Sequence, residues 1–256
     1  MIKVLLAALG LSVFLTACAP DVLDRPADVG IASQLFSALQ DGRYDLIEAM
    51  TDPELRKKGL RSPLIQMRSL LPSSPATSMT VAQYGVVKIM DAAGTVRRVN
   101  LELQAGFGEQ WFLASFQWRT ENQGSTILES FYLQPVAMPL ETLNAFTFQG
   151  KGGVHYAILV LAVLAPIISV TAFALCLFSS MSLRRKALWA VGILFGVCQV
   201  SLNWTSGEVM VNPLFFQFLS GGYTRAGLGP FIVRASVPLF ALLFLVRWYR
   251  DRRKAP

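Results

Sequence analysis

The chain has 256 residues, of which 53 % are hydrophobic and only 15 % charged, a balance too apolar for a wholly water-soluble protein. Its formal net charge of +7 is unevenly placed: residues 19–150 carry 11 Lys and Arg against 14 Asp and Glu, whereas residues 151–256 carry 11 against 2. The basicity belongs to the apolar half, where it reads as loop charge that orients membrane segments, and a nucleic-acid partner is excluded on that ground.

Met1 to Lys3 form a short positive start and Val4 to Thr16 an apolar run of 13 residues. A hydrocarbon core of ~30 Å needs about 20 helical residues, so residues 1–17 read as a signal peptide and not as a span. The stretch Leu15-Thr16-Ala17-Cys18, followed by Ala19-Pro20-Asp21, resembles the lipobox of bacterial lipoproteins. That resemblance implies that Cys18 is the acylated mature N-terminus and that residues 18–27 are a lipidated tether; an uncleaved leader is the alternative. The other cysteines, Cys176 and Cys198, lie in separate apolar segments, so no disulfide framework is expected.

Residues 28–136 read as one exported domain. Ile31, Leu35 and Leu39 recur at helical spacing, with Asp28 placed to cap the start and Asp41-Gly42 to end the helix. Tyr44–Met50, the capped stretch after Thr51-Asp52-Pro53-Glu54, and the run after Ser62-Pro63 predict three shorter helices. Met79–Met90, Thr95–Ala105, Glu109–Arg119 and Ser125–Gln134 predict four strands joined by short Gly-containing turns.

That order, with LFSALQDGRYDLIEAMTDPELR at Leu35–Arg56, resembles the NTF2-like (cystatin-like) superfamily. The resemblance implies an α+β domain whose N-terminal helices pack on a curved antiparallel sheet. Enzymatic members of the superfamily place a carboxylate or histidine inside that cone. The domain has no histidine, and its one catalytic candidate is Glu129, which shares strand parity with Ile127, Phe131 and Leu133 and would be desolvated on an apolar face. The competing reading pairs Glu129 with an arginine. Trp111, Phe112, Phe116, Trp118, Phe131 and Tyr132 either line a pocket for an apolar ligand or fill the core.

After a linker at residues 137–153, three apolar segments predict membrane helices over 154–178, 187–204 and 230–249. Arg184, Arg185 and Lys186 follow the first, and Arg250, Arg252, Arg253 and Lys254 form a basic tail at 250–256; the positive-inside rule makes both cytoplasmic. The fold class expected is therefore the α+β domain followed by a three-helix transmembrane unit. In the return loop at 205–229, the run beginning at Asn212-Pro213 predicts an interfacial amphipathic helix. His155, Trp204 and Tyr223 are interface candidates, Arg234 either snorkels or pairs with Glu208, and Gly192-x-x-x-Gly196 offers a packing face. No metal-spaced His/Cys cluster, nucleophile elbow or phosphate loop is present, and no cofactor is implied. The expected protein is a non-enzymatic interaction or ligand-sensing module of the bacterial inner membrane, facing the periplasm. Its partners are the lipid bilayer, envelope proteins and, through the glycine face, a second copy. The rival readings are an enzyme using Glu129 on an apolar substrate and a small transport-associated subunit.

Overall fold

The computed structural model describes residues 25–91, 94–121 and 124–253; Cys18, the signal peptide and Lys254 lie outside them. The chain divides into two compact units, Met1–Leu140 and Glu141–Pro256.

In the first unit, helix α1 (Arg25–Gln40) is followed by α2 (Tyr44–Met50), α3 (Pro53–Lys57) and α4 (Arg61–Leu70). Gly42 ends the α1 turn with φ 72°, a left-handed conformation that favours glycine. Asp52 caps α3 by accepting a 2.9 Å hydrogen bond from the Glu54 N–H, with Pro53 in the first turn. Helix α1 begins before Asp28, inside the stretch expected to be tether. Asp28 is therefore no cap: it is 3 % exposed and accepts hydrogen bonds from the Tyr84 hydroxyl, at 2.6 Å, and from the Arg97 guanidinium.

Strands β1 (Ser78–Asp91), β2 (Gly94–Phe107), β3 (Gln110–Glu121) and β4 (Thr126–Val136) form an antiparallel meander in sequence order. Ala32, Leu35, Phe36 and Leu39 of α1 are buried in one cluster with Val99, Leu101, Leu103, Phe112, Phe116 and Trp118. Leu and Val alternate with polar residues along β2, so one face of the strand enters this cluster.

The second unit overturns the expected architecture. It contains α6 (Gly153–Leu177), α7 (Leu183–Ile193), β5 (Phe195–Asn203), β6 (Val209–Phe218), β7 (Gly221–Thr224), β8 (Ile232–Val237) and α8 (Leu239–Arg253), after a short α5 at Leu140–Leu143. The four strands form a second antiparallel sheet in the order β6-β5-β8-β7. The protein is thus α+β with two four-stranded sheets. Among the described residues only α6 is long and apolar enough, by length and composition, to cross a membrane.

The expected spans at 187–204 and 230–249 are each part helix and part strand. The reason is a period of two hidden inside an apolar average. In β5, Gln199, Ser201 and Asn203 alternate with Val200 and Leu202, and in β8, Arg234 and Ser236 alternate with Val233 and Ala235. The expected interfacial helix is strand β6, where β-branched and aromatic side chains outweigh the helix-start signal at Asn212-Pro213. Pro213 is tolerated because β6 lies at the sheet edge.

Helix α6 organises the unit. Ile158, Ala162, Ala165, Ser169, Ala172 and Cys176 recur every three or four residues and are buried. Ile158 and Ala162 pack with Leu202, Trp204, Val233 and Ala235 of the sheet end. Ala172 and Cys176 pack with Ile193 of α7 and with Ala241 and Phe244 of α8.

Candidate functional site

Glu129 occupies a β-bulge. Gln117 pairs with Ser130 and Trp118 with Leu128, which leaves Glu129 as the extra residue of β4. The bulge breaks the strand parity on which its inward placement rested, and Leu128 is buried in its stead. Arg98 and Arg119 are directly opposite each other on β2 and β3, a like-charge pair that is unfavourable unless an anion intervenes. Glu129 supplies it, accepting hydrogen bonds of 2.9 Å from Arg98 Nε and 2.9 Å from Arg119 Nη1. Arg119 also reaches Asp52 at 3.0 Å and Glu121 at 2.9 Å.

Burial pushes the Glu129 carboxyl upward, but the hydrogen bonds from Arg119 and Arg98 outweigh it and hold the group below the ordinary carboxylate range. Asp52 is also held low, first by the Glu54 backbone N–H and then by Arg119. A carboxylate kept ionised by two guanidiniums is a weak base and a poor proton donor at neutral pH. The network is built to hold a sheet together. Sequence reasoning offered an unnamed arginine as the partner of Glu129 and gave Asp52 only a place in a helix start, because which charges face each other depends on register.

Phe112, Phe116 and Trp118 are in the core and Tyr132 is exposed, so the aromatic set does not converge on a pocket. Phe116 stacks on Phe131 with centroids 4.6 Å apart. The cavity beside them, lined by Ile47, Leu64, Leu128 and Phe131, has a volume of about 20 Å³, room for roughly one water.

The second unit carries the larger functional signal. Outside its buried stripe, α6 exposes Val160, Leu161, Val163, Leu164, Ile167 and Val170. Leu239, Leu242, Leu243 and Val246 of α8, Leu188 and Val191 of α7, and Met210, Val211, Phe215, Phe216 and Phe218 of β6 are also exposed. So much exposed apolar surface marks contact with lipid or with another protein.

The interface candidates scatter. Trp204 is fully buried: Phe146 stacks on it at 4.5 Å, His155 meets it edge-on at 5.4 Å, and its indole N–H donates to the Thr147 carbonyl at 2.8 Å. Lys151 donates to the Trp204 carbonyl at 2.7 Å. His155 Nε2 is buried without a hydrogen-bond partner, and among the described residues no group of three or more His, Cys, Asp or Glu could hold a metal ion. Tyr223 is exposed. Arg234 is half-buried on β8 across from Ser201 and Gly222, and no ion pair joins it to Glu208 among the described residues. Gly192 lies in α7 against Phe240, and Gly196 lies in β5 against Ser220 and Ser236. The two glycines therefore share no helix face.

Arg184, Arg185 and Lys186 open α7, while Arg250, Arg252 and Arg253 close α8. Arg252 lies over the Trp248 ring at 4.2 Å and Arg253 over Tyr249 at 4.6 Å. Lys186 donates to the Leu177 carbonyl at the end of α6 at 3.1 Å.

The chain matches no family model, no curated protein and no solved structure.

Proposed function

We propose that this is a membrane-anchored interaction module: the second unit sits in a bilayer and the first is held in water as a surface for envelope partners. The exposed apolar face of α6 carries the reading. A helix of 25 residues is about 37 Å long at 1.5 Å per residue, enough for a hydrocarbon core of ~30 Å with some tilt. The basic and aromatic residues closing α8 fit headgroup depth. The free edge of β6 carries backbone groups that hydrocarbon cannot satisfy, so along this edge the unit needs headgroups, water or another chain beside it. The secretory character of the leader and the basic clusters support a bacterial inner membrane, with the first unit in the periplasm and the basic end in the cytoplasm.

Interaction is favoured over catalysis because Glu129 is locked between arginines and the adjoining cavity holds about one water. The test is limited proteolysis of the full chain in phosphatidylcholine vesicles, cutting in the exposed stretch around Thr147–Gly150. The reading expects a fragment beginning near that stretch to stay with the vesicles, whichever way the fragment before it partitions. Release of that later fragment would refute it.

A further inference from the structure

The basic end of the second unit contains a groove of about 380 Å³ between the C-terminal end of α6 and α8, within the ordinary size range of small-molecule sites. Its walls are of two kinds. Phe178, Met181, Phe244 and Trp248 are apolar, whereas Ser180, Arg247, Asp251 and Arg252 are polar or charged.

The two arginines are poorly neutralised. Arg247 faces Asp251 at 3.7 Å, with half of its side chain and most of the aspartate's exposed to solvent, a pair that contributes little. Arg252 lies over Trp248 at 4.2 Å, which orients the guanidinium plane while leaving its N–H edge for an oxygen acceptor. Ser179, also on the wall, already donates its hydroxyl to the Cys176 carbonyl at 2.7 Å, leaving Ser180 and the two arginines as donors. Beyond Arg247, a second recess is lined by Leu243, Val246, Arg250 and again Asp251, so the cationic site runs on toward exposed apolar side chains.

We infer that this groove binds the phosphate headgroup of an anionic phospholipid, with Arg247 and Arg252 holding the phosphate and Leu243 and Val246 taking the start of an acyl chain. A fork-shaped guanidinium suits a phosphate better than a point charge does. The apolar continuation selects a lipid over free phosphate, which has no use for Leu243 or Val246. Asp251 opposes any anion here but is one carboxylate against two guanidiniums. The inference rests on the membrane reading and deepens it by naming the lipid class.

The experiment uses the full chain in phosphatidylcholine nanodiscs, doped or not with phosphatidylglycerol, and native mass spectrometry of the lipid that stays bound. The expected result is retention of phosphatidylglycerol over phosphatidylcholine by about tenfold, equivalent to about 1.4 kcal/mol. R247Q/R252Q should abolish the preference, R184Q/R185Q should keep it, and inorganic phosphate should not displace the lipid. Equal loss in both double variants would overturn the groove in favour of diffuse surface charge, and displacement by phosphate would overturn the lipid in favour of a free anion. No preference in wild type, with the chain still entering phosphatidylcholine discs, would sink the groove alone. Failure to enter any disc would sink the membrane reading beneath it. Circular dichroism of both variants should match wild type, since all four arginines are exposed.

Discussion

Arg98 and Arg119 stand directly across β2 and β3 from each other, and the carboxylate that makes this tolerable comes from the bulge of the next strand. Glu129 touches both, and Arg119 continues the chain of charges to Asp52 at the start of α3. One bulged residue thus fastens β4 to β2, β3 and the helical segment. Its removal is therefore read most directly as a change in stability.

Glu129→Ala should destabilise the first unit by about 1–3 kcal/mol, since it leaves two guanidiniums facing each other without their anion. Chemical denaturation monitored at the tryptophans Trp111 and Trp118 reads this out. An unchanged midpoint would show that the network contributes nothing.

The same residue sets a pH dependence. Its folded carboxyl lies below the ordinary value of 4.5, so the unfolded chain takes up the proton first as pH falls. The stabilisation is fully present above about 4.5 and is lost as pH drops through the lowered folded value. Wild type should therefore lose stability with acid more steeply than Glu129→Gln, and parallel curves would contradict the assignment.

In the second unit, a methyl group on Gly221 would overlap the Ala162 carbonyl oxygen and approach Pro166 Cδ at 2.8 Å. Pro166 has no N–H, so the Ala162 carbonyl lacks its usual helical partner, and β7 lies against that gap. Ser220, beside it, contacts Ser169 at 3.2 Å through their hydroxyls. Gly221→Ala should cost about 1–3 kcal/mol by overpacking. A thermal unfolding temperature equal to wild type in the same detergent would show that strand and helix are not in close contact.

Lipid depth separates two exposed leucines. Leu243 lies on α8, the helical end, whereas Leu214 is 96 % exposed on the interrupted stretch of β6, where the register jumps. Leu243→Asp should weaken vesicle binding strongly, because a carboxylate in hydrocarbon costs up to ~3 kcal/mol, and Leu214→Asp much less, since the irregular open edge of β6 has free backbone groups that draw water to it. Equal losses would place both at one depth.

The first unit was legible because its signals are local. Alternation in Val99, Leu101 and Leu103, the Gly-containing turns and the Asp52-Pro53-Glu54 start each act over a few residues, and β1–β4 lie where they point. The Glu129 bulge was not legible, since Ile127 and Leu128 are both apolar and either could begin the inward set that Phe131 and Leu133 continue. The second unit misled for the opposite reason. Apolar averages over 187–204 and 230–249 look like spans, while the polar residues that argue against them, Gln199, Ser201, Asn203, Arg234 and Ser236 at every second position, form a pattern that averaging removes. Arg234, read as a misplaced charge in a helix, is a half-buried strand residue between buried Val233 and Ala235, and its Nε is buried without a hydrogen-bond partner.

The central claim is that the second unit lives in lipid, and flotation of the full chain with phosphatidylcholine vesicles through a density gradient in high salt tests it most directly. High salt screens the arginines, so what remains is burial of the apolar faces of α6 and α8. The account predicts that the protein rises with the vesicles and stays with them after alkaline carbonate treatment. Recovery of folded protein in the dense fractions, apart from the lipid, would contradict it.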